Sequence, residues 1–246
     1  MKRISLIVPC LNEEEAIPAF KQEIDRVFKE CLEGYAPELI FVDDGSTDRS
    51  LEMIKKMAEH SPEVKFISFS RNFGKEAAIY AGLEAATGDY AAVMDVDLQD
   101  PPSLLPDMLK AIEKEGYDCA GTRRVTRQGE PLLRSFFARA FYKTIHQISD
   151  TRIVDGARDY KLMTRPVLEA LLSLKEYNRF SKGLYEWVGF RTKWFEYENV
   201  ERVAGETKWS FFKLFLYSIE GIVAFSTAPL ALASIMGVLL SFISFP

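Results

Sequence analysis

Histidine and cysteine are scarce in this 246-residue chain: there are two histidines, His60 and His146, and three cysteines, Cys10, Cys31 and Cys119. No two cysteines stand close enough for a CxxC pair, so a zinc centre is not expected. An odd count of well-separated cysteines argues for reduced thiols in a reducing compartment. No GxGxxG opens a helix, and "FGKEA" has a Gly-Lys pair without the GxxxxGK[ST] spacing, so dinucleotide and P-loop folds find no support. The opening "MKRISLIVPCLNEEEA" has a short apolar run that breaks at Pro9 and turns acidic, unlike a secretory signal. The large domain is therefore expected to stay in the cytosol. A net charge of −5 speaks against a general nucleic-acid binder. Internal repeats and low-complexity linkers are also missing.

One further absence is local. No Lys, Arg, Asp or Glu occurs from Gly221 to Pro246, although 27 % of the whole chain is charged. Within that tail "APLALASIMGVLLSFISF" is 18 uncharged, mostly apolar residues, close to the ~20 that cross a bilayer core. A transmembrane span over 223–246 is expected. Lys208 and Lys213 on its domain side agree with the positive-inside rule. Just before it, "WSFFKLFLYSIEG" is an aromatic amphipathic stretch suited to the headgroup layer, which sets an interfacial helix at 209–222 and a catalytic domain at 1–208.

The first half alternates two periodicities. "ISLIVP", "ELIFVDD", "VKFISFS", "YAAVMDVD" and "YDCAGTRR" read as strands, each pair separated by a stretch of helical spacing. Ile17, Phe20, Ile24, Val27 and Phe28 mark the first helix, behind an acidic first turn; Leu51, Ile54 and Met57 mark the second. Continuous apolar strands alternating with helices imply an α/β fold, a mostly parallel sheet covered on both faces. Further on, "VLEALLSL" reads as a helix and "RTKWFEYENV" as a strand. A broad apolar stripe from Leu132 to Ile148 shares its helix with Arg134, Arg139 and Lys143. That helix either faces the core with snorkelling bases or lies on the membrane surface.

In such sheets ligands sit beyond the carboxyl ends of the strands. Pro9 with Asn12 and Glu13, Asp43 with Asp44, Arg71 with Asn72, and Asp95 with Asp97 all stand just after successive predicted strands, so they converge on one rim. Asp95, Asp97 and Asp100 crowd like charges behind an apolar strand, which calls for a cation. Two aspartates two positions apart on an extended segment point to the same side. Hard oxygen donors favour Mg²⁺ or Mn²⁺, which bind a substrate diphosphate rather than a closed protein cage. An EF-hand starting at Asp95 would need Gly and Glu where Asp100 and Pro106 stand, so that reading fails. Six bases between Gly121 and Lys143, against Glu130 alone, suit an anionic lipid head group beside a membrane tail.

The motifs "IVPCLNEEEAI", "FVDDGSTDRS", "SRNFGKEAAIYAGLEAATGDY", "MDVDLQDPP", "GARDYKLMTR", "NRFSKGLYEWVGF" and "GETKWS" together resemble the family 2 glycosyltransferases of GT-A fold that load a sugar onto a polyprenyl phosphate, the bactoprenol glucosyltransferase and dolichyl-phosphate mannose synthase group. The resemblance covers nearly the whole chain. It implies Asp97 as principal metal ligand, Asp95 contacting nucleotide or metal, and Gln99 as a further ligand. Pro9, Glu13, Asp44 and Arg71 match positions that hold base and ribose, with Asn12, Asp43, Ser46, Asn72 and Lys75 on the same nucleotide side. Asp159 matches the catalytic acid; many relatives read "GDFRL" there, so Arg158 is a departure and Asp155 a second candidate. Arg202 and Lys208 resemble residues that close over the phosphates, and Arg123, Arg124 and Arg139 would meet the acceptor phosphate. The implied partners are a nucleotide sugar, UDP-hexose by expectation, a polyprenyl phosphate, the inner membrane, and further copies of the chain in a tetramer. Relatives usually carry two spans after the last motif, and this chain reaches the first.

The reaction fits elementary chemistry. A nucleotide diphosphate leaves when its developing charge is stabilised by a Lewis acid and by Arg or Lys. A lipid phosphate is largely dianionic at neutral pH and needs no base to attack. Asp159 is therefore expected to orient the acceptor or stabilise an oxocarbenium-like sugar, and direct attack inverts the anomeric carbon. Two rivals remain at this stage: a hydrolase or phosphotransferase using Asp95, in which Gln99 stands where such enzymes carry Thr or Val, and a non-catalytic nucleotide-binding scaffold at the membrane.

Overall fold

The computed structural model describes residues 1–124, 154, 156–197, 219 and 223–244. Arg139, Asp155, Arg202 and Lys208 lie outside the described residues, as do the stripe from Leu132 to Ile148 and, apart from Ile219, the expected interfacial helix.

Seven strands form one sheet: β1 Lys2–Cys10, β2 Tyr35–Asp43, β3 Val64–Ser68, β4 Tyr90–Val93, β5 Cys119–Arg124, β6 Ala157–Thr164 and β7 Thr192–Tyr197, in the order β3-β2-β1-β4-β6-β5-β7. β1 pairs in parallel with β2 and β4, β2 with β3, and β5 with β7. β6 runs antiparallel between β4 and β5. The α/β reading with a mostly parallel sheet holds, with one strand reversed.

Strand alternation feeds two separate cores. Ile4, Leu6 and Val8 of β1 with Leu39 and Phe41 of β2 face one cluster; Ile7, Ile40 and Val42 face the other. Both sides are buried, so the strands read as unbroken apolar runs. On the first face pack α1 (Ile17–Cys31), α2 (Ser50–His60) and α4 (Leu105–Glu115). Ile17, Phe20, Ile24, Val27 and Phe28 of α1 are buried, as their spacing predicts. In α2 only Ile54 of the three expected residues is fully buried; Leu51 and Met57 are half-buried. The acidic residues assigned to the first turn of α1 lie before it: the helix starts at Ile17, and the carbonyl of Glu13 accepts the N–H groups of Ala16 and Ile17.

The second face is covered by α3 (Lys75–Ala85), α5 (Arg165–Ser173) and α6 (Ser181–Trp187). α3 sits unusually close to the sheet: a Cβ on Gly82 would fall 2.3 Å from Ile7 Cγ2. α7 spans Ala228–Ser244, 17 residues, or about 25 Å at 1.5 Å per residue. Among the described residues no helix is long and apolar enough to cross a membrane. The expectation of a span over 223–246 thus meets a helix that starts five residues later. Along α7 the apolar side chains Leu230, Val238 and Phe242 are exposed.

Candidate functional site

β1 sends the chain to β2 on one side, while β4 returns to its other side. A crevice opens at such a reversal, outside the carboxyl ends of the strands. Four loops meet there, after β1, β2, β3 and β4. Pro9 belongs to β1 itself rather than to the loop, opposite Val42, and lies past the β4 ladder, whose last pair is Ile7 with Val93. A residue without an N–H is tolerated at that point.

The loops after β1 and β2 are stitched together by side chains. Asn12, with φ of 51°, donates its N–H to Ser46 Oγ at 2.9 Å and accepts the Thr47 N–H on Oδ1 at 2.7 Å. The Glu13 N–H donates to Ser50 Oγ at 2.7 Å. Asp43 accepts the Ser46 N–H at 3.3 Å. Asp44 is buried and holds the next loop: Phe73 N–H donates to it at 2.7 Å and Gly74 N–H at 3.0 Å. Burial pushes its carboxyl up, and these two backbone bonds recover part of the shift. Gly45, with φ of +74°, lets the β2 loop touch the β3 loop, because a Cβ there would lie 2.6 Å from the Arg71 carbonyl carbon. Arg71 and Asn72 are exposed on that loop, and the Arg71 guanidinium lies 4.7 Å from the Phe73 ring centre.

The acidic motif does not continue β4. The strand ends at Val93; Asp95 and Asp97 stand in the turn beyond it, where Leu98 takes a left-handed φ of 57°. Strand alternation therefore does not aim the two carboxylates; the turn does. Asp97 is buried and accepts the Gln99 N–H on Oδ1 at 3.1 Å. Asp95 is half-buried, and its Oδ1 lies 2.6 Å from Lys75 Nζ.

β6 brings the third carboxylate. Val93 faces Lys161 across the β4–β6 ladder, so the same register carried outward sets Asp95 beside Asp159. Lys75, first residue of α3, bridges the two, 2.5 Å from Asp159 Oδ2. Lys182 of α6 stands 3.9 Å from Asp159 Oδ1. Burial alone would raise the Asp159 carboxyl, but Lys75, then Lys182 and Arg158, outweigh it and hold the group well below the usual carboxylate range. Burial would likewise lower the Lys75 ammonium; Asp159 and Asp95 keep it protonated.

Arg158, one residue earlier in an alternating strand, points to the opposite face. Its Nε donates to Asp100 Oδ1 at 3.0 Å, and the Tyr197 hydroxyl donates to the same oxygen. The Arg158 departure thus anchors the acidic turn to β6 and β7. Arg123 and Arg124 end β5 on the same rim, since β6 runs antiparallel to both β4 and β5. Arg123 pairs with Glu196 of β7, and the Arg124 N–H donates to the Gly156 carbonyl at 3.0 Å.

Sequence reasoning missed Lys182, Glu76 and the Asp100–Arg158–Tyr197 cluster. Lys182 stands in "NRFSKG", whose only signal is the resemblance. No side-chain periodicity relates it to Asp159, 23 positions earlier.

Among the described residues no group of three or more His, Cys, Asp or Glu gathers to hold a metal. Two hard carboxylates fit a small dication that takes its remaining donors from water and a diphosphate, and they do not fit a closed protein cage.

The sequence model of glycosyl transferase family 2 matches residues 5–172. Bactoprenol glucosyl transferase of Shigella phage SfV is 42 % identical over 243 residues, covering 99 % of this chain and 78 % of its own. The prophage bactoprenol glucosyl transferase homolog of Escherichia coli K12 is 41 % identical with the same coverage. Among solved structures, glucosyl-3-phosphoglycerate synthase from Mycobacterium tuberculosis, in complex with Mn²⁺ and uridine-diphosphate-glucose, aligns with a TM-score of 0.54 at 20 % identity, over 88 % of this chain and 75 % of that one. At that identity the likeness speaks for the GT-A fold alone.

Proposed function

This chain belongs to glycosyl transferase family 2, and from there we propose that it moves a hexose from a UDP-sugar to a polyprenyl phosphate with inversion at the anomeric carbon. The observation that carries the reading is the Lys75 ammonium bridging Asp95 and Asp159 at the sheet's reversal point, with Asp97 two residues beyond Asp95 in the same turn. The names of the bactoprenol relatives supply the acceptor class.

Asp95 and Asp97, with Gln99 as a further donor, would hold Mg²⁺ or Mn²⁺, which when bound neutralises charge on a departing diphosphate. The loops carrying Pro9, Asn12, Glu13, Asp43, Asp44, Ser46, Arg71 and Asn72 would form the nucleoside side. Asp44 acts there through the backbone of Phe73 and Gly74, which it fixes. Lys75 would steady the sugar end of the donor, next to Asp95. Asp159, kept ionised, would orient the acceptor and stabilise positive charge developing on the sugar ring. Arg123 and Arg124 would offset the repulsion between two anionic substrates, with Arg139, Arg202 and Lys208 expected beside them.

We assign 1–208 to catalysis, 209–222 to the membrane interface and 223–246 to the lipid phase, with the catalytic unit facing the cytoplasm. An apolar helix with apolar groups exposed along its length, as α7 has, suits a hydrocarbon environment. The function is tested by incubating the full chain with a panel of labelled UDP-hexoses, undecaprenyl phosphate and Mn²⁺. Lipid-linked sugar is the expected product. Free phosphate, or nucleotide binding without turnover, contradicts the proposal.

A further inference from the structure

Two cations face the Asp159 carboxylate, and one of them is held loosely. Lys75 Nζ is 2.5 Å from Oδ2, whereas Lys182 Nζ is 3.9 Å from Oδ1, beyond hydrogen-bond reach. The Lys182 side chain is 23 % exposed, so part of it stays open to solvent beside the crevice.

Its position is nevertheless fixed. Lys182 follows Ser181, the first residue of α6, and Glu76 follows Lys75, the first residue of α3. The Ser181 N–H donates to Glu76 at 3.0 Å and its hydroxyl donates at 2.5 Å. One clasp therefore ties the two helix starts together and sets a lysine on either side of Asp159.

Charge decides what the looser lysine is for. Asp95 and Asp159 bring two negative charges, and Lys75 and Lys182 bring two positive ones. Once Asp95 serves a dication, Lys75 has Asp159 as its partner at 2.5 Å, and Lys182 is left as surplus positive charge at the mouth of the site. At 3.9 Å the Lys182 ammonium makes no hydrogen bond to Asp159, although its charge still helps to keep the carboxylate ionised. A compact ammonium with three rotating donors suits a phosphate monoester. Resting on the function proposed above, the geometry points to Lys182 as a ligand of the acceptor phosphate, on the opposite side of Asp159 from the donor-side Lys75. The Glu76–Ser181 clasp is its positioning device.

The test is steady-state transfer by the full chain in detergent, using the UDP-hexose that the wild type uses best, with each substrate varied in turn. Lys182→Met is expected to raise the KM for undecaprenyl phosphate about tenfold or more, as loss of a charge-assisted hydrogen bond implies. The donor KM should stay at the wild-type value. Lys182→Arg should recover most of the acceptor KM, and Ser181→Ala, which loosens the clasp but keeps the charge, should raise it less than Lys182→Met. An unchanged acceptor KM in Lys182→Met, or an equal rise in both KM values, overturns the role of Lys182 and leaves the proposed function standing. A wild type that yields no lipid-linked sugar with any UDP-hexose overturns the proposed function, and this inference with it.

Discussion

Lys75 serves two carboxylates at once, and that pairing governs which protonation states the site can reach. Asp159 is held below the usual carboxylate range, so it stays ionised wherever the lipid phosphate is a dianion. Asp159→Asn is expected to lower kcat while leaving every limb of the kcat–pH profile at its wild-type position; a limb that vanishes in the variant would make Asp159 a general base. Another buried carboxylate, Glu38, lies among Ser5, Lys65 and Thr87. Burial would raise Glu38, yet the bonds from Lys65 at 2.6 Å, from Ser5 and from Thr87 lower it to about 2. A depressed carboxyl lends stability that is full above its ordinary value of 4.5 and is lost as pH falls toward about 2. Glu38→Gln should therefore cost about 1–3 kcal/mol in urea unfolding at pH 7, and the gap to wild type should shrink through that acid window. The acids of the rim were legible as residues, because an apolar strand ending in paired aspartates has few structural uses. Their partners were not. Whether Arg158 meets an acceptor or Asp100 depends on which face of β6 it occupies, and a charged strand buried on both faces gives no apolar alternation to read.

α3 shows how an element can be found in sequence for one reason and packed for another. "KEAAIYAGLEA" carries good helix formers, but its apolar residues do not define one stripe. Small residues replace the stripe, since Gly82 admits Ile7 where any side chain would collide. The loops that α3 follows depend on the same economy of volume. Gly45→Ala forces a Cβ against the Arg71 backbone at a positive φ. It is expected to raise the donor KM several-fold and to destabilise by roughly 1–3 kcal/mol, with kcat affected less; unchanged donor binding by calorimetry would remove the β2–β3 loop contact from the nucleotide site. β1 to β5, with α1, α2 and α4, followed from periodicity because each strand is a short apolar run between turns. β6 escaped it: Arg158, Asp159 and Lys161 interrupt the run, and Lys161 is buried by stacking beneath Tyr185 and Trp194, 4.7 Å and 5.0 Å from their ring centres. Such a cation–π seat is invisible to hydropathy.

At the scale of the whole molecule, charge is segregated along the chain, with every ionised side chain ahead of Gly221. Reaction centre and apolar tail are expected to separate experimentally. Deleting 209–246 should release the protein from the membrane fraction and raise the KM for undecaprenyl phosphate, while UDP-hexose binding by calorimetry persists; a deletion variant that still sediments with membranes would contradict the membrane assignment of those segments. The parallel sheet was readable because alternating strands and helices leave few topologies, whereas the reversed β6 follows from a connection that periodicity did not resolve. That reversal carries Asp159 to the carboxyl ends of β1 and β4, where the donor loops already converge. The rate of sugar transfer to undecaprenyl phosphate by EDTA-stripped protein, followed as Mn²⁺ is titrated back into wild type and Asp97→Asn, tests the central claim most directly. The account predicts no transfer before metal, full recovery in wild type, and a rate at least ~100-fold lower in Asp97→Asn, the scale of losing one charge-stabilising group. Full-speed transfer by the stripped wild type, or by Asp97→Asn at the same Mn²⁺, would contradict it.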